Sequence, residues 1–261
     1  MTDPAAVLHF PSMRPTSLLL LALVAAAPAF AGADPGLDAS TGSATEIRLG
    51  QAPPPPPAVD PSRVNAVERF LAARQEGSAA RAGGRAVKLA AMAPRSATAE
   101  ELYGPKGARL VAFDFRNESI EPVGAGRFQV TAYLIFADEA GQVIESRDES
   151  LVFSGKSGAW SCASRQTTAS ISWESEGVLD TAASLGVTEE LRRARAHLSD
   201  WTTGRGREMA FSVSDVEKDR DGRVVVQCLR FTADRGRRGF GVDSAPVVLT
   251  RDGGTLRVES N

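Results

Sequence analysis

The sequence predicts an α+β protein, with helices packed on curved antiparallel sheets, behind an export signal and a proline-rich tether. Three observations carry this. Val64, Val67, Phe70 and Leu71 recur at helical spacing in an opening stretch. From Ala108 the apolar period changes from helical to two, the mark of half-buried strands. From Thr188 the same order restarts, a helical stretch and then alternating runs.

The export signal comes first. Met13-Arg14 precedes a wholly apolar run, Leu18 to Ala27, followed by Pro28 and Ala29-Phe30-Ala31. Small residues at 29 and 31 fit a signal-peptidase site, so residues 1–31 are expected to be removed by a cut before Gly32. The run of about ten residues is half of the roughly 20 needed to span a bilayer, which argues against an anchor. Asp3, Pro4 and Pro11 suit such a signal poorly, so Met13 is the expected start. No later segment is apolar enough to cross a membrane, and the expected location is periplasmic or secreted. Residues 32–62 read as a tether. Pro53–Pro57 hold an extended left-handed helix, a stiff spacer that could also serve a proline-recognising groove.

The folded part is expected as two units, 63–175 and 176–261. Ser62 is the expected N-cap of the first helix, and Gly77-Ser78 an interruption before a second helix over Ala79–Ala93. A short helix over Thr98–Tyr103 ends at Gly104-Pro105. Leu110–Arg116 is a strand. Phe128, Val130, Ala132, Leu134 and Phe136 alternate with Gln129, Thr131 and Tyr133 in the next. Asp138–Gly141 is a hairpin turn. Gln142–Ser154 follows, with Glu145, Arg147 and Glu149 on one face, then a turn at Gly155–Gly158 and strand again over Ala159–Trp173. In the second unit Thr188 is the expected N-cap of a helix with Leu191, Ala194 and Leu198 along its apolar stripe. Strands are expected at Arg207–Val216, Arg223–Thr232, Pro246–Thr250 and Thr255–Glu259, with turns at Asp221-Gly222 and Asp252–Gly254.

The two meanders superpose at a constant offset of 96 residues. Gly126-Arg127 falls on Gly222-Arg223, Phe115 on Phe211, and Val130 on Val226. Either the chain is duplicated, or this is the alternation and turn glycine that any two meanders share.

Composition narrows the function. The 261 residues carry a net charge of −2, without the basic surplus of a nucleic-acid-binding domain. Two cysteines and two histidines exclude a zinc ribbon and a multi-histidine metal site. No catalytic residue, metal or cofactor is assigned. Ser154-Gly155-Lys156-Ser157 lacks the first glycine and the following helix of a phosphate-binding loop. Glu217, Asp219 and Asp221 open like a calcium loop, but Cys228 stands where its closing glutamate belongs.

Three sets of candidate residues remain. Cys162 and Cys228 lie in separate strands, and in an exported protein they could form a disulfide or stay as buried thiols. Arg235, Arg237 and Arg238 make a basic loop, in a stretch from Glu190 to Arg238 with 12 basic and 8 acidic residues. It is a candidate contact for an anionic surface, or a solvated loop. Asp114, Tyr133, Tyr103 and His197 are pocket candidates only through a resemblance to a superfamily whose isomerases and dehydratases use Asp, Tyr and His, and none is carried over as catalytic. A lone helical histidine such as His197 is more commonly a packing residue.

A helix followed by a four-stranded antiparallel meander resembles the cystatin-like fold, and in particular the nuclear transport factor two-like superfamily. Val64–Arg74 stands for its opening helix, and Gly155–Cys162 and Asp252–Val258 for its terminal hairpins. The resemblance implies two tandem cystatin-like units, each able to enclose a pocket in the hollow of its sheet. Its members include isomerases, dehydratases, ligand binders and envelope scaffolds, so fold does not choose function. The expected role is a non-catalytic binding or assembly protein of the cell envelope, its partner an envelope protein or a small ligand. The rival is a small-molecule binder or an isomerase- or dehydratase-type enzyme with a pocket inside a curved sheet.

Overall fold

In the computed structural model the described residues are 59–85, 93–94, 97–156, 159–173, 176–202 and 207–260. The expected signal, most of the tether and residues 86–92 of the expected second helix lie outside them. The chain divides into two units, Met1–Pro57 and Ala58–Asn261, and all of the described helices and strands belong to the second.

The first helix, α1, spans Pro61–Ala82. Its N-cap is Asp60, not Ser62. The Asp60 carboxylate accepts from the Ser62 N–H at 2.9 Å, and Pro61 needs no partner at the first helical position. Ser62 instead turns its hydroxyl to the Trp160 indole N–H, 3.2 Å away. The helix also runs unbroken through Gly77-Ser78. A Cβ on Gly77 would sit 2.3 Å from the Tyr103 ring, so the missing side chain makes room for Tyr103. Packing against an aromatic ring outweighs the roughly 1 kcal/mol that glycine costs inside a helix. Ser78 accepts from the Leu110 N–H at 2.8 Å and so ties the helix to the first strand.

The short helix α2, Ala99–Tyr103, is closed by a capping box between Thr98 and Glu101. The first sheet follows: β1 Arg109–Phe115, β2 Glu121–Gly124, β3 Arg127–Ala137, β4 Val143–Lys156 and β5 Ala159–Ser172. All pairs are antiparallel, in the order β1-β3-β4-β5, with β2 beside β3. The alternating residues of β3, Phe128 to Phe136, are buried against α1 together with Phe70, Leu71 and Tyr103. At the β3–β4 turn Asp138 accepts from the Gln142 N–H at 2.8 Å.

An additional helix, α3, spans Glu176–Leu185. Among its described residues Ala182 alone is fully buried, with Val178 packed beside it, a narrow apolar stripe. The next helix, α4, is Thr188–Trp201, and its N-cap is Val187 with no side-chain bond. Thr188 is already helical, because Val187 is fully buried in the second core and its burial sets the helix entry. The second sheet comprises β6 Arg207–Lys218, β7 Val224–Asp234, β8 Gly241–Ser244, β9 Val247–Asp252 and β10 Thr255–Ser260. Its order is β10-β9-β7-β6, with β8 beside β7.

Beyond their first strands the two sheets repeat one register, whereas β6 meets β7 two residues out of step with β1 on β3: Asp114 faces Tyr133, but Ala210 faces Phe231. Phe128 pairs with Phe153 and, 96 residues on (128 to 224, 153 to 249), Val224 pairs with Leu249. Lys156 pairs with Ala159, and Asp252 with Thr255 at the same offset. The counterpart of the long β4 is split into β8 and β9. Pro246 stands where β4 has Ser150, and proline cannot donate to a ladder. The sheets meet back to back. Val111, Ala112, Ile135 and Ala137 of the first bury against Ala210, Phe231 and Ala233 of the second.

Candidate functional site

Two places concentrate charged side chains: a buried cluster under α1, and the junction between the sheets.

Arg74 lies on the buried face of α1 and Glu149 on β4, where a register shift separates Asp148 from Glu149. Neither side chain reaches solvent. Arg74 Nη1 and Nη2 donate to the two Glu149 oxygens at 2.7 and 3.1 Å. Arg74 Nε donates to the Leu102 carbonyl at 2.7 Å, satisfying the C-terminus of α2. From β5, Arg165 Nε and Nη2 donate to the same carboxylate at 3.2 and 3.0 Å. Glu149 thus accepts four hydrogen bonds from two guanidiniums, about its full capacity. Burial pushes its carboxyl up, but the Arg74 charge and the bonds from both arginines outweigh that and hold it below its ordinary value.

Above this cluster opens a groove of about 590 Å³, lined by Thr98, Glu101, Glu145, Arg147, Arg165 and Thr167 among others. Arg147 donates to both Glu145 oxygens at 2.7 and 2.8 Å and lies 4.9 Å from the Phe136 ring centre. Ser170 also donates to Glu145, at 2.6 Å. Burial raises the Glu145 carboxyl, while the Arg147 and Ser170 bonds bring it below its ordinary value. Arg147 and Glu145 neutralise one another on its rim, Arg165 is drawn to Glu149 beneath, and Glu100 and Glu101 add negative charge at its mouth. Sequence alternation grouped Glu145, Arg147 and Glu149, but Arg74 gave no signal, because it is 75 residues from its partner.

The pocket candidates do not converge in the hollow of a sheet. Asp114 and Tyr133 are register partners on β1 and β3. Tyr133 packs against the cluster between the sheets, and its ring is 6.0 Å from that of Phe240. The Asp114 carboxylate accepts from the adjacent Phe115 N–H at 2.8 Å. His197 is half-buried on α4, a helix that packs on the second sheet. The space between α1 and the first sheet is filled by Phe70, Tyr103, Phe113, Phe128, Phe136 and Phe153.

The disulfide candidate is also corrected. Cys162 and Cys228 are both free thiols, one in the core under α1 and the other in the core under α4. Each half buries its own cysteine, so the two are separated by both sheets. Burial pushes the Cys162 thiol up to about 12 and raises Cys228 as well.

The basic loop holds the two halves together. Arg235 pairs with Glu208, which Arg109 of β1 also reaches, at 3.0 Å. The Gly236 N–H donates to the side-chain oxygen of Gln75 at 2.7 Å, and Gln75 donates in turn to the Val111 carbonyl at 2.8 Å. The Gly239 N–H donates to the Phe113 carbonyl at 2.9 Å. Arg238 donates to Asn117 at 2.6 Å and lies over the Phe115 ring. Of the three arginines offered to an anionic surface, two are engaged within the protein. Arg237 is exposed, and among the described residues its side chain has no ion-pair partner.

No protein-family model and no characterised relative matches this sequence. One solved structure similar to the chain is an "Ntf2 like protein involved in plasmid conjugation". It has 10% sequence identity and a TM-score of 0.20, over 59% of this chain and 77% of its own. That likeness is weak. The α+β class rests on the two antiparallel sheets and the helices laid on them.

Proposed function

We propose that this chain is an exported, non-catalytic binding or assembly protein of the cell envelope. One observation carries the reading: the charged side chains of the two clusters are spent mainly on one another. Arg74, Glu149 and Arg165 close a buried cluster, while Arg109, Glu208, Arg235 and Arg238 join the two halves. A ligand pocket in the hollow of the first sheet would need room that six aromatic rings take up. The export half of the proposal rests on the apolar run Leu18 to Ala27 and the small residues at 29 and 31.

The test is to express the full chain in a bacterium with an export pathway, separate periplasm from cytoplasm, and weigh the intact protein. The expected product lies outside the cytoplasm and begins at Gly32. An uncleaved chain that stays in the cytoplasm overturns the envelope assignment.

A further inference from the structure

The groove above the buried cluster holds two guanidiniums that their ion pairs do not use up. Arg147 and Arg165 line it with side chains only 12% and 8% exposed. Arg147 commits Nε and Nη2 to Glu145. Arg165 commits Nε and Nη2 to Glu149 and Thr167. Among the described residues the Nη1 of neither arginine donates a hydrogen bond. Arg165 Nη1 lies 3.8 Å from a Glu101 oxygen, too far for one. Each Nη1 carries two N–H donors, so both arginines keep an unused donor edge in the same groove. Beside them stand the Thr98 and Thr167 hydroxyls and the exposed Gln166 amide.

The strand that supplies this wall is irregular at two points. Phe153 pairs with Cys162 and Val152 with Ser164, which leaves Ala163 out of the ladder. Glu149 pairs with Thr167 and Asp148 with Ala169, which leaves Thr168 out. The two bulges bracket Ser164–Thr167. A bulge bends its strand and re-aims the side chains beside it, and bulges recur next to binding sites. The volume of about 590 Å³ is that of a small-molecule site, roughly 300–1,000 Å³. Among the described residues, none of the six rings that fill the space under α1 lines it.

Planar N–H donors of this kind match the two oxygens of a carboxylate. Charge then decides what else the ligand carries. Arg74, Arg147 and Arg165 meet Glu100, Glu101, Glu145 and Glu149, so the groove and its floor together carry −1. A phosphate or a bare carboxylate would enter against that charge. A carboxylate that brings its own positive group would not. Glu100 is exposed at the mouth and forms no ion pair among the described residues, so it is open to that group.

We propose that this groove binds a small molecule carrying both a carboxylate and an ammonium group, a free amino acid or a short peptide. The carboxylate is held by the unused edges of Arg147 and Arg165, and the ammonium by Glu100. This deepens the binding reading and rests on it, by naming the ligand class and the residues that hold it.

Titration of the purified protein with glycine, β-alanine, γ-aminobutyrate and alanylalanine, followed by amide chemical shifts, tests this. The first three differ in the separation of their charges, and the fourth separates a peptide from a free amino acid. At millimolar concentration at least one should move the Thr98, Gln166 and Thr167 amides and saturate. Acetate, ethylamine and inorganic phosphate each lack half of the recognised pair and should bind more weakly by roughly tenfold or more. Gln166→Glu adds a negative charge beside the arginines and should weaken the best probe by roughly tenfold. Glu100→Gln should also weaken it, and Glu121→Gln, on β2, should not. All three positions are exposed, so the fold should survive each change. No saturable shift with any of the four probes overturns the proposal and leaves both Nη1 groups merely hydrated. Acetate or phosphate binding as tightly as the best amino acid overturns it too. An exported, cleaved protein that binds no probe sinks the groove alone, whereas binding by a chain left uncleaved in the cytoplasm sinks the envelope reading alone.

Discussion

Arg74 and Glu149 form a two-pronged ion pair at 2.7 and 3.1 Å, with neither side chain exposed to water. Taking both charges out of water costs several kcal/mol each, so the pair holds only while all of its donors and acceptors are matched. Glu149→Gln leaves two guanidiniums facing one neutral amide and is expected to destabilise by about 3–5 kcal/mol. Arg74→Met should cost less, because Arg165 still serves the carboxylate. Urea unfolding of the two single variants and the double variant measures the coupling. Additive effects would show that the pair is energetically idle.

Acid should unfold the protein through the same group. Burial raises the Glu149 carboxyl, but Arg74 and Arg165 lower it further, so its folded pKa lies below the ordinary 4.5. Glu145 is depressed in the same sense. Stability from a depressed carboxyl is complete above the unfolded pKa and is lost as pH falls through the folded one. Asp148, raised by burial, opposes this in part. Unfolding free energy is therefore expected to decline below pH 4.5. Glu149→Gln should be weaker at neutral pH and decline less steeply. Parallel pH profiles for parent and variant would refute the assignment.

Gly77 is expected to resist the substitution that helix propensity recommends. Alanine in a helix interior gains about 1 kcal/mol over glycine. Here its Cβ would lie 2.3 Å from the Tyr103 ring. Overpacking costs about 1–3 kcal/mol, so Gly77→Ala should destabilise. In a Tyr103→Ala background the same change should become neutral or stabilising. A stabilising effect in both backgrounds would mean that the ring does not dictate the glycine.

The junction between the halves hangs on Glu208 and Gln75. Glu208 is 4% exposed between Arg109 and Arg235. Removing one partner from a buried hydrogen bond costs about 1–3 kcal/mol. Glu208→Ala and Gln75→Ala should each cost that much and speed amide exchange at Gly236 and Gly239. Unchanged exchange at those two amides would show that the loop is held by something else.

The two cysteines should react only on unfolding. Both are buried, and the Cys162 thiol is pushed up to about 12. An aromatic disulfide reagent should find no fast-reacting thiol in the native protein and two in denaturant. A native, non-reduced sample that yields none in denaturant would restore the disulfide.

Where local signals govern, the elements were legible. The alternation of Phe128 to Phe136 marks β3 with its correct buried face. The 96-residue offset marks two meanders whose later strands share a register, Phe128 on Phe153 and Val224 on Leu249. Local signals failed where burial overrode them. Gly77-Ser78 reads as a break until Tyr103 arrives from 26 residues away (103 − 77) to occupy the space. Val187 takes the cap position from Thr188 because it is buried beneath α4.

The sequence by itself determined the α+β class, most of the helices and long antiparallel strands, and their hydrophobic faces. These depend on periods of two and 3.6 residues along a continuous stretch. Only the tertiary structure decided what the charged groups do. Arg74 meets Glu149 across 75 residues, and Arg235 meets Glu208 across 27. Such pairings depend on which faces the packed layers bring together, and no local period encodes that. The basic loop that reads as an offer to an outside partner is, in the folded chain, one of the contacts that join its own two halves, through Gly236 on Gln75, Gly239 on Phe113 and Arg238 on Asn117.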